Sequence, residues 1–128
     1  MEITVGMRGE ASAMVSRETT AAAAGSGSLL VYGTPYMIAL MEQAACAALA
    51  PCLDEAQSSV GTHLNVSHES ATPVGMAVRA EAEVTAVDGR RITFRVTACD
   101  EKGLIGQGEH ERCLIRAESF RARTYDKL

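Results

Sequence analysis

From residue 76 onward apolar and polar positions alternate with the period of a half-buried strand. Val78, Ala80, Ala82, Val84 and Ala86 fall on one face over residues 76–87, against Arg79, Glu81, Glu83 and Thr85. Asp88-Gly89 is a two-residue hairpin signal, after which Ile92, Phe94, Val96 and Ala98 continue the apolar face. "DEKG" at 100–103 predicts a second turn, followed by a last long strand, "LIGQGEHERCLIRA". Upstream, "GTHLNVSH" at 61–68 puts Thr62, Leu64, Val66 and His68 on one face, and "RGEASAMVS" at 8–16 predicts a weakly patterned first strand. The stretch "GTPYMIALMEQAACAALAP", residues 33–51, is different. Thr34-Pro35 predicts a helix start with Thr as N-cap and Pro at N1, and Pro51 marks its end. Met37 to Leu49 are apolar nearly all round, as in a helix buried on most sides. One such helix and a run of long half-buried strands predict an α+β architecture, a sheet curved around a central helix.

Glu42 breaks the pattern of that helix. A carboxylate taken out of water costs several kcal/mol unless it is paired or protonated. His68 shares the strand face of Leu64 and Val66, so an imidazole and this carboxylate both point at the helix–sheet interface, each able to complement the other. His63 has the opposite parity and is expected in solvent, which also argues against a zinc site made from His63, His68 and His110. Thr34 reads as a plain cap or as a hydroxyl facing a substrate oxygen. Eight residues of helix separate it from Glu42 by roughly 12 Å, so the two meet only if the first turn is distorted or across a two-fold axis. In the last strand Gly106, Gly108, His110 and Arg112 share a face, the glycines suggesting close approach of a backbone or a ligand. Arg112 reads as an ion-paired structural residue or as a holder of an anionic substrate part.

At 128 residues, with 47% hydrophobic and 22% charged residues, the chain is expected to form a single domain, 1–128, with a real core. A net charge of −4 without a basic run argues against nucleic-acid binding. The longest apolar stretch is one helix long and interrupted by Glu42 and Gln43, so no membrane span is expected. "MEITVGMRGE" has neither the basic nor the apolar region of a secretory signal, which predicts a cytoplasmic protein. Cys46, Cys52, Cys99 and Cys113 have no zinc-ligand spacing and are expected as buried free thiols. Residues 19–30, "TTAAAAGSGSLL", lack the Lys and the preceding strand of a phosphate loop and predict a mobile flap.

With Thr and Glu eight apart in "GTPYMIALMEQAACAALAP", and a His twenty-six after that Glu in "GTHLNVSHESATPVG", the sequence resembles the hotdog-fold acyl-CoA thioesterases, particularly the fluoroacetyl-CoA thioesterase-like branch. "VDGRRITFRVTACD" and "GQGEHERCLI" complete a resemblance that covers about residues 30–120. It implies a hotdog fold, with a long central helix wrapped by five or six antiparallel strands and paired as a homodimer. It also implies hydrolysis of a short-chain acyl-CoA to free acid and CoA by Thr34, Glu42 and His68, without metal or other cofactor. By the same resemblance the Gly61 N–H lies near the thioester and Arg112 near the substrate. The branch's aromatic-bearing flap is here "TAAAAGSGSLLVYG", with Tyr32 its one aromatic, so strong selection for fluorine is not expected. Two other activities suit the same residues: an acyl-CoA hydratase or dehydratase, and a non-catalytic acyl-CoA binding module in which Glu42 and His68 pair for structure alone.

Overall fold

The computed structural model describes all of residues 1–128. The chain runs through strand β1 (Arg8–Met14), a 3-10 turn (Arg17–Thr19), a short helix α1 (Ala21–Ala24) and the long helix α2 (Thr34–Leu49). Strands β2 (Gln57–His68), β3 (Ala77–Asp88), β4 (Arg91–Asp100) and β5 (Gly103–Arg116) follow, and then helix α3 (Ala117–Tyr125). The five strands form one antiparallel sheet in the order β1-β3-β4-β5-β2, with β1 and β2 at its edges.

The alternation read in β3 and β4 is the inner face of this sheet: Val78, Ala80, Ala82, Val84, Ile92, Phe94, Val96 and Ala98 are all buried. Helix α2 lies mainly across β1 and β3 and gives Met37, Leu40, Met41, Ala44, Ala45, Ala48 and Leu49 to the same core. Side chains such as Leu40, Leu49 and Ile92 each contribute about 1.5–3 kcal/mol by leaving water.

Several expectations change in detail. The sheet covers only one side of α2, so its other side is not buried: Thr34, Pro35, Gln43, Cys46 and Ala47 are exposed, and Ile38, Ala39 and Glu42 are half-buried. None of the four cysteines is buried, Cys46 being exposed and the others intermediate, and all are free. The register of β3 shifts between Val84 and Ala86, so Val87 instead of Ala86 comes opposite Ile92, and Ala86 is exposed. The first hairpin loop is Gly89–Arg90, one residue later than expected. A second shift falls between Gly61 and His63 in β2. Thr62 is thereby the extra residue of a bulge and leaves the face of Leu64, while Gly61, opposite Arg112, joins it.

The segment expected as a flap is folded. Thr20 caps α1 by accepting from the Ala23 N–H, and Ala21 and Ala22 donate to the carbonyls of Val31 and Leu29. Its far end is tied down where Tyr32 donates to the Thr72 carbonyl and Gly33 to that of Thr19, which fixes the entry into α2. No helix is long and apolar enough to cross a membrane.

Candidate active site

Thr34 does not cap α2. Gly33 occupies the cap position and Thr34 is the first helical residue. Its hydroxyl is thereby free, and it shares a 2.7 Å hydrogen bond with Nδ1 of His68, the last residue of β2. The other ring nitrogen, Nε2, is buried and meets no protein partner. A cavity of about 240 Å³ opens beside the pair, lined also by Ala21, Ser26, Tyr32 and Glu69. Burial pushes the Tyr32 phenol up to about 12, and its hydroxyl donates to the Tyr36 carbonyl, so it acts as a fixed wall. Hydrogen bonds from Ser67 and Gln107 hold the Glu69 carboxyl below its ordinary range.

Glu42 lies elsewhere. The mutual pairing expected of Glu42 and His68 is not formed within the chain: two turns of regular helix beyond Thr34, the Glu42 carboxylate is bound by Arg112, whose Nη1 donates to Oε2 at 3.0 Å. Arg112 is buried and donates in three further directions: Nε to Ser59 Oγ at 2.8 Å, Nη2 to the Ser59 carbonyl at 3.1 Å, and Nη1 to His110 Nε2 at 3.1 Å. Four of the five N–H donors of its planar fork are thus used in positioning Glu42. Gly61 makes room for the carboxylate, since a Cβ there would stand 2.5 Å from Oε2. Gly106 and Gly108, by contrast, admit protein: a Cβ on either would strike the β2 backbone, and at Gly106 also Met37.

His110, fully buried and stacked on Phe94, shares the strand face of Arg112, and parity alone does not mark it as part of the site. Nothing in the sequence singles out Ser59 except its place two residues before Gly61, on what proves to be the same face. Nδ1–H of His110 donates to the His63 carbonyl at 2.8 Å, leaving Nε2 to accept from Arg112, so the ring is held neutral. The His63 ring itself is in solvent, as its parity predicted.

Burial, with the Arg112 charge in the same direction, holds the His110 imidazole below its usual range, against the His63 carbonyl, Glu42 and Glu111. The unfolded chain therefore binds this proton at a higher pH than the folded one, and stability falls as pH drops through about 6.5 toward the folded value. Melting temperature is expected to decline between pH 7.5 and 5.5, and to decline less in His110→Gln. Parallel declines would assign the acid sensitivity to other groups.

Known proteins resemble the chain over most of its length. A family model described as fluoroacetyl-CoA-specific thioesterase matches residues 15–118. The fluoroacetyl-CoA thioesterase of Streptantibioticus cattleyicolor is 43% identical over 97 residues, 76% of this chain and 70% of that protein. Among solved structures, the fluoroacetyl-CoA thioesterase FlK has a TM-score of 0.93 at 35% identity, covering 100% of this chain and 99% of that one. A threonine-to-serine mutant of FlK in complex with acetyl-CoA has a TM-score of 0.92 at 36% identity, with 98% of both chains covered. A Thermus thermophilus hypothetical protein of the thioesterase superfamily has a TM-score of 0.88 at 28% identity, covering 98% and 96%.

Proposed function

Because this chain belongs to the fluoroacetyl-CoA-specific thioesterase family and is a thioester hydrolase with the hotdog fold, we propose that it cleaves a short-chain acyl-CoA at a site shared by two subunits. Thr34 and His68 come from one subunit and Glu42 from the other. The observation that carries this reading is the separation of the two clusters: Thr34 and Glu42 are eight residues apart on an unbroken helix, about 12 Å, and each is held where it is by its own partner. A single thioester carbonyl cannot be reached by both within one chain.

A second copy remedies this. The open side of α2 carries Thr34, Ile38 and Glu42 in a slowly turning stripe, apolar between the two functional residues. Two such helices packed antiparallel, with Ile38 near the axis, set Thr34 of each opposite Glu42 of the other. The β2 edge, unpaired in the monomer, is available to continue the sheet. A homodimer is therefore expected in sedimentation; a monomer retaining full activity at dilution would rule out the shared site.

In the proposed mechanism the acyl carbonyl sits between Thr34 and Glu42. Arg112 holds Glu42 in position, so that its oxygen attacks the carbonyl carbon to leave an anhydride that water then hydrolyses, or it deprotonates a water that attacks directly. The Thr34 hydroxyl and the Gly61 N–H support the developing oxyanion, and His68 protonates the departing thiolate, its proton being replaced by the one that the attacking water gives up. Release of free CoA, followed with a thiol reagent across acyl chain lengths, tests the reaction directly. A hydratase or a binding module releases none, and turnover is expected to be greatest for the shortest chains, given the small cavity at Thr34.

Fluorine selection is expected to be weak. Residues 19–30 supply no aromatic side chain, and Tyr32 is fixed by its bond to Tyr36. The ratio of kcat/KM for fluoroacetyl-CoA over acetyl-CoA should stay below about 10³, roughly 4 kcal/mol. A larger ratio would mean that another element does the selecting.

A further inference from the structure

The charge of this chain is unevenly placed. Residues 116–128 hold Arg116, Arg121, Arg123 and Lys127 against Glu118 and Asp126, a surplus of +2, whereas the whole chain carries −4 and the preceding 115 residues −6. Two of these cations, Arg116 and Arg121, line a groove of about 550 Å³ between α3 and the turn before β2, more than twice the cavity at Thr34 and His68. Glu55 and Glu118 also line it, yet neither guanidinium is ion-paired, unlike Arg8, Arg79, Arg91 and Arg112 elsewhere. Both arginines are exposed.

The groove is also in register with the site. Between Arg112 and Arg116 the β2–β5 ladder runs without a shift, from Gly61 opposite Arg112 to Gln57 opposite Arg116, so both arginines belong to one sheet face. Four residues of strand place them about 13 Å apart. The pantetheine arm of CoA has an extended reach of about four to five residues. Its far end carries three phosphate groups, which an otherwise acidic protein would repel.

We propose that the groove between α3 and the turn before β2 is the docking site for the phosphates of CoA, with Arg116 and Arg121 as their charged hydrogen-bond donors. The inference rests on the acyl-CoA reading above, and adds to it a residue-level account of how the carrier is distinguished from its own pantetheine arm. Arg123 and Lys127 are not among the groove's lining residues and serve as controls for general charge.

Calorimetric titration with CoA and with pantetheine tests this without any turnover. Wild-type protein is expected to bind CoA at least about tenfold more tightly than pantetheine, as a charge-assisted contact predicts. Arg121→Glu should lose most of that advantage and Arg123→Glu should keep it. Helix α3 buries no residue, so both variants should fold, which thermal melts will check. In steady-state assays Arg121→Glu should raise KM for acetyl-CoA with kcat unchanged, and leave KM for acetyl-pantetheine as it was. The proposal is overturned if wild-type protein shows no preference for CoA, if Arg121→Glu retains it, or if Arg123→Glu loses it equally. Absence of turnover with either substrate would instead refute the hydrolase reading, while the titration still reports on the groove.

Discussion

Replacing Glu42 with Gln is expected to lower turnover at least about 10²-fold, the usual scale of a general-base contribution, while the fold is kept. The amide has the size and most of the hydrogen-bonding capacity of the carboxylate, so Arg112 retains an acceptor, and what is lost is the charge that activates the nucleophile. His68→Ala should do as much damage, because it takes away the partner of the Thr34 hydroxyl. The double variant should be little worse than either single one, since groups acting in one step are non-additive. A Glu42 kept only for structure gives the opposite pattern. Exchange for a neutral amide would then leave CoA release near wild type, and the melting temperature would be unchanged or raised. Steady-state rates measured alongside melts separate the two.

The second large effect is expected at Arg112, and it should appear first as stability. Arg112→Met fills a similar volume but leaves the Ser59 carbonyl and His110 Nε2 without their donor and the Glu42 carboxylate without its counter-ion. Each buried polar group so orphaned costs about 1–3 kcal/mol. The Glu42 side chain is 37% exposed, and water offsets part of its share. A loss of about 3 kcal/mol is expected, or roughly 10 °C in melting temperature for a chain of this size. Activity should fall as well, because Glu42 loses its aim. Adding Glu42→Gln to Arg112→Met should recover stability, as removing the unpaired charge relieves the strain on its neighbours. A variant melting within about 2 °C of wild type would show that Arg112 does not hold this network.

What could be read from the sequence differed by level. The sheet and helix were legible because Val78 to Val84 and Ile92 to Ala98 keep strict alternation, while Met37 to Leu49 do not alternate at all. Thr34, Glu42, His68, Gly61 and Arg112 could be picked out because each is a chemical exception in its element or belongs to the family's spacing. Which of them touch could not be read. Parity arguments assume an unbroken ladder, and the bulges near Thr62 and Thr85 each reverse the face of what lies beyond them. The first bulge brings Ser59 and Gly61 to the side of Arg112, so the cluster around Glu42 depends on an irregularity that composition does not announce. Thr34 likewise carries a typical capping residue's identity, yet Gly33 takes the cap position and leaves its hydroxyl for His68.

The shared site can be tested by mixing two inactive proteins. Co-expressed Glu42→Gln and His68→Ala chains associate at random, and half of the dimers are then mixed. In each mixed dimer one site carries both substitutions, and the other combines intact Thr34 and His68 from one chain with intact Glu42 from its partner. The account predicts recovery of CoA release to about one quarter of the wild-type rate, from two parents that are each nearly inert. A mixture no more active than its parents, with mixed dimers demonstrably present, would contradict it and place Thr34, His68 and Glu42 at work within a single chain.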